Sequence, residues 1–282
     1  MTSKSQIIRP GIIRLAVLMC ISLLTGCQNA VTTSNQVTSS IETTMTSVRT
    51  SPLTVPRPDF EAKSIEEAES VSVGDHISFG RYPQRRSPDT DSFEPEPIEW
   101  RVLDIQDGKA LLITEYLLKP ISYNTTLEDV TWETCSLRKW CNDTFYDAAF
   151  SEDEKRFIQT VTLKNPDNPL RGTPGGNDTE DRLFCLSLEE AKIYFKDQGD
   201  RWAVPTDYAI NERADTHEEN GIVTGWWWLR TPASSANRAS DVDCYGETDW
   251  EINGYGEDGD FVIGSNCVRP AVWISIPEKN EY

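Results

Sequence analysis

Histidine is scarce. The 282-residue chain has two, His76 and His217, and nothing in the sequence places them together. Most His-based metal sites are therefore excluded. No HExxH, GxSxG or P-loop stretch occurs, which removes the zinc-protease, serine-hydrolase and nucleotide-hydrolase classes that those motifs carry. No cysteine pair has CxxC spacing, so zinc-ribbon and thioredoxin-type redox chemistry go as well. Positive charge is in deficit, with 27 Lys and Arg against 46 Asp and Glu, a net charge of −19. That balance disfavours nucleic acid and anionic membrane surfaces as partners. It suits a solvated acidic surface, or cationic and neutral ligands. The N-terminal apolar run, Ile12 to Leu24, has thirteen residues, too few for the roughly twenty that span a bilayer. No repeat of solenoid period is visible.

What is present begins with an address. Lys4, Arg9 and Arg14 supply a positive N-terminal region, with no acid before Cys27. Leu24-Thr25-Gly26-Cys27 closes that run and resembles a bacterial lipobox. The resemblance implies cleavage before Cys27, lipidation of its thiol and anchorage in a lipid bilayer outside the cytoplasm. Ordinary secretion is the alternative. Loss of the leader takes Cys20 with it and moves the net charge to about −22, since three cations go. Residues from Gln28 to about Arg57 are rich in Ser and Thr and nearly free of large apolar side chains. Such a segment cannot bury enough surface to offset its ordering entropy, so a disordered tether is expected. The acidic stretch Glu61 to Glu69 reads as a short helix or more linker. The expected organisation is a leader over 1–26, lipidated Cys27 and tether over 27–70, a globular domain over 71–276 and a tail over 277–282.

The nine tryptophans all follow Val71 and argue for a substantial core. His76 to Tyr82 and Ile98 to Ile105 alternate as strands, and Asp107-Gly108 turns the chain into a third, Lys109 to Glu115. From Trp132 to Phe150 the period becomes helical. Leu137, Trp140, Cys141, Phe145 and Ala148 fall on one face, with Thr134 as the expected N-cap. Ser151 opens a short helix with capping-box spacing, and Ser187 to Glu190 opens another that ends near Phe195. Asn165 to Asp181 reads as a loop, Leu183 to Leu186 as a buried strand and Asp207 to Arg213 as a helix. Trp226 to Arg230 reads as a strand ending in a turn at Thr231-Pro232. Arg238 to Tyr245, Trp250 to Tyr255 and Val268 to Ile276 read as further strands. The fold class expected is α+β, with strands at both ends, helices in the middle and a loop-heavy C-terminal half.

Several segments together resemble one uncharacterised bacterial extracytoplasmic family. They are Gly74-Asp75-His76-Ile77-Ser78-Phe79-Gly80, Pro97-Ile98-Glu99-Trp100, Ala110 to Ile113, Thr131 to Trp140, Trp227-Trp228-Leu229-Arg230 and Val268 to Ile274. That family's activity is unknown, so it implies no catalytic residue. Trp228, Leu229, Arg230, Arg269 and Pro270 are also similar to the formylglycine-generating-enzyme type of C-type-lectin-like fold. This similarity implies a single domain with paired termini and a ligand face built from loops. That enzyme type uses a close pair of C-terminal cysteines, whereas Cys244 and Cys267 stand far apart in the sequence.

Five cysteines follow Cys27: Cys135, Cys141, Cys185, Cys244 and Cys267. Buried inert thiols are the default, with a Cys244–Cys267 disulfide left open. Asp241, Asp243, Asn253, Asp258 and Asp260 are candidate oxygen ligands for Ca²⁺. The EF-hand pattern fails, because Tyr245 takes the third ligand position and no acid takes the twelfth. Gly254 to Gly259 matches GxGxxG literally, but Glu257 and Asp258 would repel a pyrophosphate. Tyr245, Trp250 and Tyr255, set among Gly and Asp, are the candidate ligand-binding residues. Trp228, Arg230 and Arg269 are expected to be structural, the two arginines partly buried against carboxylates. The expected function is a surface-displayed binding domain for a glycan, peptide or protein. Two alternatives stay open: an oxidase or carboxylate-pair wall-glycan hydrolase, and a structural domain in a surface assembly.

Overall fold

The structure, a computed structural model, describes residues 60–248 and 259–276. The leader, Cys27 and the tether lie outside the described residues, as do Trp250, Asn253, Tyr255 and Asp258, most of the GxGxxG stretch and the tail. In chain order the strands are β1 (Ala62–Ser64), β2 (His76–Pro83), β3 (Pro95–Gln106), β4 (Lys109–Thr114) and β5 (Lys119–Pro120). Then come β6 (Val161–Leu163), β7 (Thr179–Asp181), β8 (Leu183–Phe184), β9 (Thr216–Glu219) and β10 (Ile222–Gly225). The last are β11 (Trp227–Pro232), β12 (Arg238–Val242), β13 (Asp260–Phe261), β14 (Cys267–Val268) and β15 (Ala271–Ser275). Among the described residues they form a six-stranded sheet in the order β1-β2-β3-β4-β15-β8 and a five-stranded sheet in the order β13-β12-β11-β14-β5. Two ribbons, β6-β7 and β9-β10, complete the strands. Short helices lie between, and the class is α+β.

The alternation around Trp100 builds the first sheet. Ile98, Trp100 and Val102 turn inward from β3 and Ile77 and Phe79 from β2, all buried. Trp100 Nε1 donates to the Phe79 carbonyl at 2.7 Å, so its one polar atom is satisfied in the core. The sheet begins earlier than the expected boundary at Val71. Strand β1 pairs in parallel with β2, and a 3₁₀ helix, Ile65–Ser70, follows it. Glu67 accepts from the Ser64 backbone N–H at 3.1 Å, while Ile65 and Ala68 are buried. Two apolar residues three apart are enough to fasten this acidic stretch to the core.

The helical segment departs from the expected register. Its N-cap is Cys135, whose Sγ accepts from the Arg138 N–H at 3.4 Å, and not Thr134. Ser136–Lys139 and Tyr146–Ala149 are α-helical, but Trp140–Phe145 between them is a π-helix. A π turn inserts about one extra residue and rotates everything after it. Hence Ala149, rather than the expected Ala148, reaches the core. Thr179–Asp181, expected as loop, pairs with β6 as β7. Strand β11 runs through Thr231-Pro232 instead of turning there. The expected single strand Val268 to Ile276 is two. Strand β14 joins the five-stranded sheet and β15 the six-stranded one, with Arg269 and Pro270 making the corner between them.

That corner explains the two arginines. Arg269 is fully buried and donates to the carbonyls of Thr114 (3.0 Å), Arg201 (3.3 Å) and Glu115 (3.4 Å). Its guanidinium lies 5.0 Å from the Trp227 ring centre and 5.4 Å from that of Phe195. The expected carboxylate partner is replaced by carbonyls and ring faces, with Glu115 acting through charge alone. Burial, then the like charge of Arg101, pulls its pKa down to about 9, against the attraction of Glu115. Arg230, also buried, pairs through both terminal nitrogens with Glu190 and donates to Asn165 Oδ1 at 3.2 Å. Trp228 is buried too, its indole donating to the Ile121 carbonyl at 2.7 Å.

Candidate ligand-binding site

Two stretches that meet behind the β9-β10 ribbon position the most distinctive patch of surface. The first is the short helix Gln198–Arg201, capped by Asp197, whose side chain accepts from the Asp200 N–H at 3.1 Å. The second is the turn Asp243 to Glu247. Asp243 Oδ1 accepts from the backbone N–H groups of Tyr245 (2.8 Å) and Glu247 (2.7 Å), an Asx turn. Gly246 has φ of 75°, and a Cβ there would stand 2.0 Å from the Gln198 carbonyl oxygen. Only glycine lets the two stretches come this close. The buried Arg201 locks them, its Nε donating to the Gly246 carbonyl at 2.7 Å. Trp202 Nε1 adds a 2.7 Å bond to the Tyr245 carbonyl.

The lock pushes two aromatic rings outward. Trp202 is 42 % exposed and Tyr245 46 %, and Ile222 of β10 beside them is 47 % exposed. The His217 ring of β9 lies 4.9 Å from the Tyr245 ring, tilted by 55°. These side chains, with Glu219 and Cys244, line one shallow concavity into which no Lys or Arg projects. The Tyr245 phenol is raised by Cys244 first, then by slight desolvation and by the carboxylates Glu219, Asp243 and Glu247. Burial pushes the Cys244 thiol up to about 12, with Asp243, Glu219 and Glu247 adding to it. Large apolar side chains beside carboxylates form a surface suited to holding a ligand, and they provide no activated nucleophile.

Of the candidate ligand-binding residues, Tyr245 lies in this concavity, while Trp250 and Tyr255 lie outside the described residues. Trp202, His217, Glu219 and Ile222 were not expected there. Asn220-Gly221, with φ of 54° and 80°, is the tight turn that folds β9 onto β10. This Asn-Gly signal stands in the sequence and places His217 on a strand.

The candidate calcium residues are otherwise engaged. Asp243 builds the turn, Asp241 Oδ2 accepts from Asn266 at 2.6 Å, and Asp260 Oδ1 accepts from the Phe261 N–H at 2.7 Å. Among the described residues no group of three or more His, Cys, Asp or Glu side chains is placed to hold a metal ion. Asn253 and Asp258 are outside them. All five described cysteines are buried free thiols, so Cys244 and Cys267 are not joined.

A larger concavity, about 910 Å³, lies elsewhere, beside the π turn. Three cations line it, Arg138, Lys139 and Arg182, and the two arginines are engaged. Arg138 donates to the buried Asp181 at 2.6 Å, and Arg182 sits 4.1 Å over the Tyr146 ring. Its acids Glu133 and Glu180 accept from Asn177 (2.9 Å) and Thr162 (2.5 Å). Asp181 also accepts from Trp132 Nε1 (3.0 Å), Asn142 (3.1 Å) and Thr179 (2.6 Å). This network fastens the helix to β7 and β8.

No curated protein and no solved structure matches the chain. A family model matches residues 107–276, a span holding every described residue of the aromatic concavity. That span is more than half of the sequence, and the chain belongs to the family described as Domain of unknown function (DUF6273).

Proposed function

We propose that this protein is a membrane-anchored surface lipoprotein that displays a ligand-binding domain and works without catalysis. One observation carries the binding half: Trp202, Ile222 and Tyr245, each more than two fifths exposed, surround one concavity on a rigidly locked turn. Rigid aromatic side chains offer contact area at little entropic cost, as recognition surfaces require. The anchor rests on the lipobox resemblance at Cys27. We assign the domain to the C-type-lectin-like class from the WLR and VRPA segments. The presence of β1 and β15 in one sheet, with a loop-rich second sheet beside it, agrees with that assignment. An oxidase would need paired thiolates, but burial holds both Cys244 and Cys267 protonated, and Cys267 does not line the concavity.

The test is a screen of the Cys27→Ser chain, made without its leader, against wall-glycan and peptide fragments, with calcium and with chelator. Binding that disappears in Tyr245→Ala is the expected result. Retention of every hit in Tyr245→Ala would refute the assignment.

A further inference from the structure

We propose that the concavity at Trp202 and Tyr245 takes an organic cation, specifically a quaternary ammonium group; the proposal rests on the reading of that concavity as the binding site. The walls are apolar and aromatic: the Trp202 indole, the Tyr245 phenol, the aliphatic Ile222 and the His217 ring packed against Tyr245. Among the side chains lining the concavity the fixed charge is negative. Glu219 lines the concavity, Asp243 and Glu247 belong to the turn carrying Tyr245, and no Lys or Arg lines the concavity. Behind burial at Cys244 and behind Cys244 itself at Tyr245, the carboxylates Glu219, Asp243 and Glu247 also raise both ionisations, so added negative charge is resisted there. Phosphates and carboxylates are thereby disfavoured as ligands.

The rings further select among cations. A cation over an aromatic face is attracted by the ring quadrupole, most strongly when little water must be stripped from it. A primary ammonium is strongly hydrated and wants three acceptors. A quaternary ammonium needs no acceptors. Its methyl groups match Ile222 and the ring faces, while Glu219 supplies the counter-charge. The net charge of −19 raises the local concentration of any such cation.

The test is calorimetric titration of the full chain, in maltoside micelles, with choline. Comparison ligands are its neutral isostere 3,3-dimethyl-1-butanol and lysine amide. Saturable choline binding, at least tenfold tighter than the isostere, is expected. Trp202→Ala and the exposed Glu219→Gln should each weaken it severalfold, Glu219→Gln without changing the melting temperature. Equal affinity for choline and the isostere, no saturable choline binding, unchanged binding in both variants, or tighter binding of lysine amide would each overturn the proposal. The broader reading is judged separately. Fragment-screen hits that Tyr245→Ala abolishes keep the binding site even where choline fails, and their absence removes both.

Discussion

At Glu115 two opposing effects meet. Burial raises its pKa, but hydrogen bonds from His76 (3.1 Å) and Arg101 (2.8 and 2.5 Å), with the charges of Arg101 and Arg269, outweigh burial and hold it down to about 2. A folded-state value below the unfolded one gives stability that is complete above about pH 4.5 and disappears as pH falls toward 2. The contribution is on the order of 3 kcal/mol. Glu115→Gln should flatten the acid limb of the urea-unfolding profile between pH 4.5 and 2. At neutral pH it should cost about 3 kcal/mol or more, because Arg101 and Arg269 lose their counter-charge. An unaltered acid limb would contradict this. None of this was legible in the sequence, since the cluster joins residues 76, 101, 115 and 269 from four strands or their ends. The exposure of Tyr245 was legible, because it stands among Asp and Gly at the very end of the strand expected over Arg238 to Tyr245. Trp202 was not, because its exposure depends on a turn more than forty residues away.

Elements were read best where the signal is local. The hairpin at Asp107-Gly108, the capping box at Ser151 and the helix start at Ser187 need only a few consecutive residues, and each forms where the sequence puts it. The π turn at Trp140–Phe145 has no such signature, so the helical face was read one residue out after it. Likewise the strand ending the domain was read as continuous, because only the buried Arg269 and the sheet change at Pro270 reveal the corner. The turn beneath the aromatic patch gives a prediction at this scale. Gly246→Ala must adopt a left-handed φ and press a methyl into the Gln198 carbonyl. It should destabilise the chain by about 2 kcal/mol and lower ligand affinity by an order of magnitude or more. Asp243→Ala should weaken the same turn by about 1 kcal/mol, through loss of its two side-chain acceptor bonds. Thermal melts and binding curves of both variants check this. Wild-type affinity in Gly246→Ala would show that the turn does not set the site.

For the whole molecule, the α+β class and membership of a family of unknown function are settled, while the anchor and the ligand are proposals. Among the described residues no helix is long and apolar enough to cross a membrane. Attachment would therefore rest on Cys27, and Cys27→Ser should move the protein from the membrane fraction to the soluble one and abolish palmitate labelling. Persistence in the membrane fraction would contradict the lipobox reading. The family match begins at the β3–β4 turn, so β1 to β3 add half of the larger sheet ahead of it. The acidic balance narrowed the ligand classes, but it did not show which carboxylates gather around which rings.

The central claim is that ligand is held at Trp202, His217, Ile222 and Tyr245, and not in the polar cleft beside the π turn. Backbone chemical-shift mapping of the ¹⁵N-labelled chain, titrated with the best fragment from the screen, tests it most directly. Saturable shifts confined to residues 197–202, 216–224 and 243–248 are the expected result. Shifts centred instead on Glu133, Arg138, Tyr146 and Arg182 would contradict it.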